Sequence, residues 1–502
     1  MAYDKNFKKI ARGAWLIFLG LFISKLLGYV YRLIIAKAGT ENYGLFSLGL
    51  SIYTFILTLA ILGINTGAMR FISYYRGKKD AEKEKGTIYS AAKIVFISSL
   101  FLALILGFSS NFLANNVFKK EGLGIILLIF AFVLPFNALS ELASGVARSY
   151  KKIEYEIFSK NLIENIAKIL LTLLFLYLGM NLLGIAIAFN LAIIISASIL
   201  IFLVIKRIVI KLKVGKIIEN YSEILKISWP LAFVGIINLF LTITDTIMLG
   251  FFRTSSEIGI YNAAVPTAQL LFIIPFAFLG LFIPVLTGLY AEKKEKDFSL
   301  TYNNSNKFIT LMNVPIWLFM FVFASSVLLI LFGKPYEEGK YALMILSSGM
   351  FFSYTFSSTS RALLTVIGKT RFILYTLLIS GALNFLLNLY TVPKYGIEGA
   401  ALSTAFSLFT LTLLFWIYGK IYAGISPLSW TQIKIFSIGI VSIAVTYFAT
   451  YSFEITNIWD LLLVGIAFMI IYFVLLLLSR CINKDDFNMI KSLIKKPFRE
   501  VD

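Results

Sequence analysis

Long apolar runs separated by short charged turns dominate the chain from about residue 13 to residue 480. A helix needs roughly 20 apolar residues to cross about 30 Å of hydrocarbon. Runs of that length fall at about 13–36, 43–67, 88–110, 122–147, 161–179, 182–205, 227–251, 258–289, 308–332, 340–365, 371–391, 397–419, 431–453 and 457–480. The pattern predicts an all-α polytopic membrane protein with about fourteen transmembrane helices. Composition agrees: 59% of the 502 residues are hydrophobic and 14% charged, which no ordinary soluble surface accommodates.

Charge then orients the spans. A formal charge of +20 suggests nucleic acid in a soluble domain, but here the basic residues sit between spans, where they set topology and meet anionic head groups. About 35 of the 46 Lys and Arg fall on one side, about 7 on the other and about 4 within spans. The basic loops are 76–86, 148–160, 206–216, 291–297 and 368–371, with the tail from Arg480. Both termini are therefore expected in the cytoplasm of a multi-pass cell-membrane protein. The expected partners are membrane lipids with anionic head groups and no nucleic acid. The single Cys481 and the absence of His exclude a disulfide framework, a Cys/His zinc site and His-based catalysis, so neither a metal nor another cofactor is expected. The start, MAYDKNFKKIARGAW, runs into a span too long for a signal-peptide core, and helix 1 reads as retained. The short loops leave no room for a soluble catalytic domain. The longest, 206–226, alternates basic and apolar residues and reads as an amphipathic connector on the inner membrane surface.

An internal repeat organises the spans. ENYGLFSLGLSIY (41–53) recurs about 215 residues later as SEIGIYNAAVPTA (256–268), and the same offset carries Gly184 onto Gly399. Six helices return the chain to its starting side, so the repeat predicts two parallel lobes with a cavity between them. The expected divisions are a first lobe at 1–205, the connector at 206–226, a second lobe at 227–422, and two further helices with a tail at 423–502.

The stretch ISKLLGYVYRLIIAKAGTENYGLFSLGLSIYTFILTLAILGINTGAMRFISYY (23–75) and the segment YGIEGAALSTAFS (395–407) resemble polysaccharide-biosynthesis flippases of the Wzx type. Those are relatives of stage V sporulation protein B and the lipid II flippases, in the multidrug/oligosaccharidyl-lipid/polysaccharide exporter superfamily. The resemblance implies two six-helix lobes in a V, alternating access, and movement of a polyprenyl-(pyro)phosphate-linked oligosaccharide from the cytoplasmic to the outer leaflet. The chain is expected to act as a monomer and not as an enzyme.

Polar residues within spans are the candidate site. Lys25 and Arg32 lie seven residues apart on helix 1, about two turns along one face. Intramembrane charges of this kind face a partner, a cavity or a transport path. The alternatives for Lys25 are a ligand for the lipid's phosphate or a structural pair with a carboxylate. Ser24, Lys25 and Gly28 match a Ser-basic-x-x-Gly pattern of the lipid II flippases, whereas Tyr31-Arg32 departs from that group's arginine-acid pair. Arg32 and Asp245 stand at similar depth on helices 1 and 7 and form a candidate outer gate; the alternative is that Asp245 caps or pairs within its own lobe. Glu141 is a candidate partner for Lys25 or a proton sensor, with a structural pair the other reading and Asn137 one turn before it. Asn137, Asn238, Asn262 and Gln269 are candidate ligands for sugar hydroxyls, with polar packing the other reading. Glu164 and Lys168 have the i,i+4 spacing of a local pair, and Asn384 and Asn388 share a face suited to holding helices together. Pro230, Pro266, Pro275, Pro284 and Pro315 crowd helices 7 to 9 and mark them as the bendable part. VIGKT (366–370) lacks the first glycine of a phosphate loop, Leu363 standing in its place. A cation-coupled drug or metabolite exporter and a membrane-embedded polymerase or ligase are the competing classes. Cationic drugs would favour carboxylates over Lys25 and Arg32, and short outer loops without His leave little place for acid-base chemistry.

Overall fold

The computed structural model describes residues 20–481 except 213, 427 and 452, and every regular element among them is helical. By its contacts the chain divides after Asn262.

The first unit holds α1 (20–36), α2 (Thr40–Gly77), α3 (Ala81–Val117), α4 (Leu123–Ser149), α5 (153–177), α6 (Asn181–Val209), α7 (Tyr221–Phe252) and the start of α8 at Ser255. Its core is an aromatic cluster drawn from α2, α4 and α6. Phe46 stands 5.8 Å from Phe130 and 5.6 Å from Phe189, and Tyr53 5.3 Å from Phe130, between ring centroids. Edge-to-face packing of this kind adds to the burial of large rings.

The second unit holds the remainder of α8 to Ala291, α9 (295–332), α10 (340–366), α11 (370–395), α12 (397–423), α13 (Trp430–Ala449) and α14 (Ile458–Leu478). Trp317, Phe351 and Phe436 pack together there, with Trp317 and Phe351 stacked at 4.6 Å. Large apolar side chains face outwards, Phe108 at 88% and Leu463 at 60% exposure. A bilayer supplies the missing contacts, since lipid tails are as apolar as the side chains that meet them.

Among the described residues nine helices are long and apolar enough to cross a membrane, or ten with the two halves of α7, bent by 58°, counted as one. The chain is thus an all-α polytopic membrane protein. Several expected spans are broken into shorter pieces. A π-helical segment at Ile157–Ile163 interrupts α5. A 3-10 turn at Gln269–Phe272 follows Pro266 in α8, where the ring removes one N–H from the helical ladder. Conversely, Thr370–Ala423 is continuous by hydrogen bonding, but Gly396 at φ 58° and ψ −129° is not helical. A straight helix of 54 residues would reach about 80 Å, far beyond a bilayer, so Gly396 separates α11 from α12.

Helix α7 groups with the first unit because α2 meets it through glycine. A Cβ on Gly63 would stand 2.7 Å from the Ser228 carbonyl oxygen, and one on Gly67 would stand 2.2 Å from Ser228 Oγ. Small residues allow helix backbones to approach this closely. The division by contacts therefore falls at 262, whereas the sequence repeat divides the chain between 205 and 227.

The connector docks on the start of α3. Ile218 N donates to Glu82 O at 3.4 Å, Asn220 N to Ser90 Oγ at 3.1 Å, Asn220 Nδ2 to Thr87 Oγ1 at 3.0 Å, and Lys85 Nζ to Leu212 O at 3.0 Å. Gly86 permits the approach, because a Cβ there would meet Ile218 O at 1.7 Å. The amphipathic alternation seen in the sequence thus coexists with a backbone engaged by α3. Gly86→Val should displace the connector, at the ~1–3 kcal/mol typical of overpacking. Limited proteolysis of membrane vesicles should then cut within 206–220 faster than in the wild type; unchanged cutting would count against the docking.

Candidate functional site

Helix α1 has a packing face and a charged face. Ser24 accepts a hydrogen bond from Asn165 Nδ2 of α5 at 3.1 Å, and Tyr31 and Ile35 are buried. Lys25, one residue on from Ser24 and so turned by about 100°, is exposed. Among the described residues it makes no hydrogen bond or ion pair with any carboxylate. Arg32 is half-buried, and its Nη1 donates to Tyr43 OH at 3.4 Å. Neither cation of α1 is neutralised by a carboxylate among the described residues.

The acid expected beside Lys25 is taken elsewhere. Glu141 of α4 pairs with Lys160 of α5, which corrects the expected Glu141–Lys25 contact. Lys160 lies in the π-helical segment of α5, and π segments frequently mark functional positions. Two turns further on, Glu164 and Lys168 pair at 2.7 Å, as their spacing predicts, and Ser196 Oγ donates to Glu164 Oε2 at 2.7 Å. Glu141, Lys160, Glu164 and Lys168 thus alternate in sign along one half-buried seam. Sequence reasoning missed Lys160 because it lay in a basic segment assigned to a cytoplasmic loop. The signal was the i, i+4, i+8 run Lys160, Glu164, Lys168.

The α1–α2 end is closed by the start of α8. Gly44 and Gly259 approach reciprocally: a Cβ on Gly44 would stand 1.7 Å from Ser255 O, and a Cβ on Gly259 would stand 2.0 Å from Thr40 O. Tyr43 OH donates to Asn262 O at 2.8 Å, and Ser256 Oγ to Thr40 Oγ1 at 2.7 Å. Tyr261 OH donates to Asp245 Oδ2 at 2.6 Å. Arg32 and Asp245 thus reach this seam through two different tyrosines, Tyr43 and Tyr261, and form no ion pair with each other. The expected direct Arg32–Asp245 bridge is absent here; Asp245 takes the alternative contact, near its own helix.

The remaining candidates separate. Asn137 Nδ2 donates to Tyr53 OH at 2.8 Å, beside the aromatic core. Asn262 is buried, with its amide bonded to Ile258 O at 2.9 Å and Thr246 Oγ1 at 3.3 Å, so it shapes the seam instead of facing a cavity. Gln269 is exposed at the 3-10 turn of α8. The side chain of Asn238 lies outside the described residues. Asn384 donates to Thr404 Oγ1 at 3.0 Å across the α11–α12 hairpin, the interhelical role its face suggests.

Residues 10–290 match the family model described as polysaccharide biosynthesis protein, and residues 230–390 match the model described as MatE. The chain is 22% identical over 433 residues to the uncharacterized membrane protein MJ1068 of Methanocaldococcus jannaschii, covering 82% of this chain and 85% of that one. It is 24% identical over 252 residues to the probable low-salt glycan biosynthesis flippase Agl15 of Haloferax volcanii, covering 50% and 52%. Its fold is similar to that of lipid II flippase MurJ in an inward closed conformation, with a TM-score of 0.76 at 17% identity over 93% of this chain and 99% of the other.

Two outcomes check these contacts. Removing one member of a buried pair leaves an uncompensated charge, so Glu141→Ala or Lys160→Ala should each cost about 3–5 kcal/mol, while Glu141→Gln with Lys160→Met should cost much less. Thermal unfolding in detergent, followed by size-exclusion recovery, measures both; equal losses would argue against the pair. Gly44→Ala should lower the melting temperature by the same measurement, at ~1–3 kcal/mol. Gly28→Ala, whose nearest neighbour stands 4.0 Å away, should not.

Proposed function

Since this chain belongs to the polysaccharide biosynthesis protein family, whose model spans residues 10–290, we propose that it is a flippase for an anionic lipid-linked glycan. In this reading a polyprenyl-(pyro)phosphate-linked oligosaccharide enters from the cytoplasmic leaflet and leaves to the outer leaflet by alternating access, for assembly of cell-surface polysaccharide. The protein is a transporter in this reading, not an enzyme, and sits in the cell membrane with both termini inside. The likeness to the flippases Agl15 and MurJ supports the class.

The observation that carries the proposal is the uncompensated pair on α1. An ion at membrane depth costs roughly 2.5–3.5 kcal/mol on insertion scales, and Glu141, Lys160, Glu164 and Lys168 of the first unit are paired with one another. Lys25 and Arg32 are the cations left for cargo. A phosphate or pyrophosphate satisfies both a flexible ammonium and a guanidinium that can bind it bidentately.

The two glycine contacts supply the moving parts. The seam of Gly44 and Gly259 closes the α1–α2 end, which the charge distribution assigns to the outside. The contact of Gly63 and Gly67 with Ser228 closes towards the cytoplasm. Alternating access opens one and then the other. Arg32 reaches Tyr43 within the outer seam, so cargo that draws Arg32 away weakens that closure.

The test is reconstitution in liposomes carrying a labelled polyprenyl-pyrophosphate oligosaccharide, with leaflet exchange followed in wild type, Lys25→Ala and Arg32→Ala. Loss of a charge-assisted hydrogen bond of ~1.5–3 kcal/mol predicts a fall of about tenfold or more in each variant. Equal rates in all three would sink the phosphate site. No movement by the wild type, with an ion gradient imposed, would favour export of a soluble cation by a MatE-like route, the reading that the match over 230–390 keeps in view.

A further inference from the structure

A second cationic site lies beside the Gly44–Gly259 seam. The turn between α3 and α4 and the turn between α7 and α8 flank an open cavity of about 480 Å³ lined by Phe118, Lys119, Lys120, Phe251, Arg253 and Glu257, among others. That volume falls in the range of about 300–1,000 Å³ typical of small-molecule sites. It is far too small for a lipid-linked oligosaccharide and fits one charged group with a sugar or glycerol attached.

Three cations and one carboxylate line it, and the carboxylate is committed. Glu257 Oε2 accepts from Thr254 N at 3.0 Å and Thr254 Oγ1 at 2.9 Å, which caps α8, while its Oε1 stands 3.9 Å from Arg253 Nη1. Lys120 Nζ donates to the backbone carbonyl of Arg253, a dipole that leaves the ammonium's charge uncancelled. Lys119 is exposed at the cavity rim. Neither lysine forms an ion pair among the described residues. Burial holds the Lys120 ammonium below its usual range, a cost that a bound anion relieves. Phe118 and Phe251, 4.5 Å apart between ring centroids, form its apolar side.

The cavity has one wall on each side of the seam. Ser255, Ser256 and Gly259, which meet Thr40 and Gly44, follow Arg253 within two turns of chain. Any opening of the seam that moves the start of α8 away from α2 carries Arg253 from Lys119 and Lys120 and takes the cavity apart. We propose that this cavity binds an oxyanion, the phosphate or carboxylate of a lipid head group or of a soluble sugar, and that the bound anion holds the seam closed. The coupling rests on the alternating-access reading above. A ligand that binds one state only shifts the equilibrium towards it. At the outer face this makes anionic product or lipid a brake on reopening.

Two measurements on the full chain in nanodiscs separate the site from the coupling. In the first, Lys119 and Lys120 are acylated by an amine reagent and read by mass spectrometry, with inorganic phosphate, glucuronate, or phosphatidylglycerol in the nanodisc as probes. Protection of both lysines by soluble phosphate or glucuronate points to a soluble source, and protection by phosphatidylglycerol alone to a lipid head group; either supports the site. No protection by any probe overturns it. In the second, Thr40→Cys and Ser256→Cys are introduced with Cys481→Ser, and disulfide yield reports closure of the seam. A probe at ten times its dissociation constant, binding the closed state alone, should raise the closed-to-open ratio by about tenfold. Lys119→Gln with Lys120→Gln should abolish that rise, whatever the basal yield of the variant. Protection without a rise overturns the brake and leaves the flippase reading intact. A yield that no condition alters, the lipid-linked substrate included, overturns the moving seam itself.

Discussion

An ionised group surrounded by hydrocarbon has to be neutralised by a neighbour or by something that comes and goes. The first unit is built around that constraint. Glu141, Lys160, Glu164 and Lys168 cancel one another along α4 and α5, and each would be costly alone. Lys25 and Arg32 of α1 form no ion pair with a carboxylate among the described residues. The second unit solves the same problem with neutral groups. Tyr302 and Ser360 share a hydrogen bond of 2.9 Å, Thr359 donates to Asn306 at 2.6 Å, and Asn313 to Thr355 at 3.2 Å. In each unit a π-helical segment, Ile157–Ile163 or Ser353–Ser357, carries one of the polar partners. A wider turn re-aims a side chain without ending the helix.

Closure is governed by backbone, not by side chains. Where α2 meets α7 and α8, glycines remove the only atoms that would hold the helices apart. Carbonyls and small hydroxyls then form the contact, and such a surface fits in one arrangement or not at all. Tyr43 bonds across that contact to Asn262 O, and Tyr261 of α8 holds Asp245 of α7 beside it.

The fold class, the membrane setting and the two charged positions on α1 were legible in the sequence because each depends on one-dimensional pattern: run length, charge between runs, and a cation inside a run. Glu164 with Lys168 was legible because the pair is local. Glu141 with Lys160 was not, since it joins two helices and one partner lay in what read as a loop. For Asp245 the contact found is the second of the two that its sequence position left open. Equal depth on two helices places residues at one level but says nothing of azimuth, and Tyr261 stands where Arg32 was expected. The connector's docking was invisible because its contacts use backbone groups, which every residue carries alike. Gly86 was the only clue, and a lone glycine before a span has many ordinary readings.

The seam has one more property. Thr40 stands to Gly44 as Ser255 stands to Gly259, and the two segments are 215 residues apart in the chain. Each glycine faces the carbonyl that its counterpart's segment supplies, which is the rule for an isologous contact between identical subunits. A side chain added to either glycine would meet the backbone of the other's segment, so the seam has two equivalent weak points, one on α2 and one on α8.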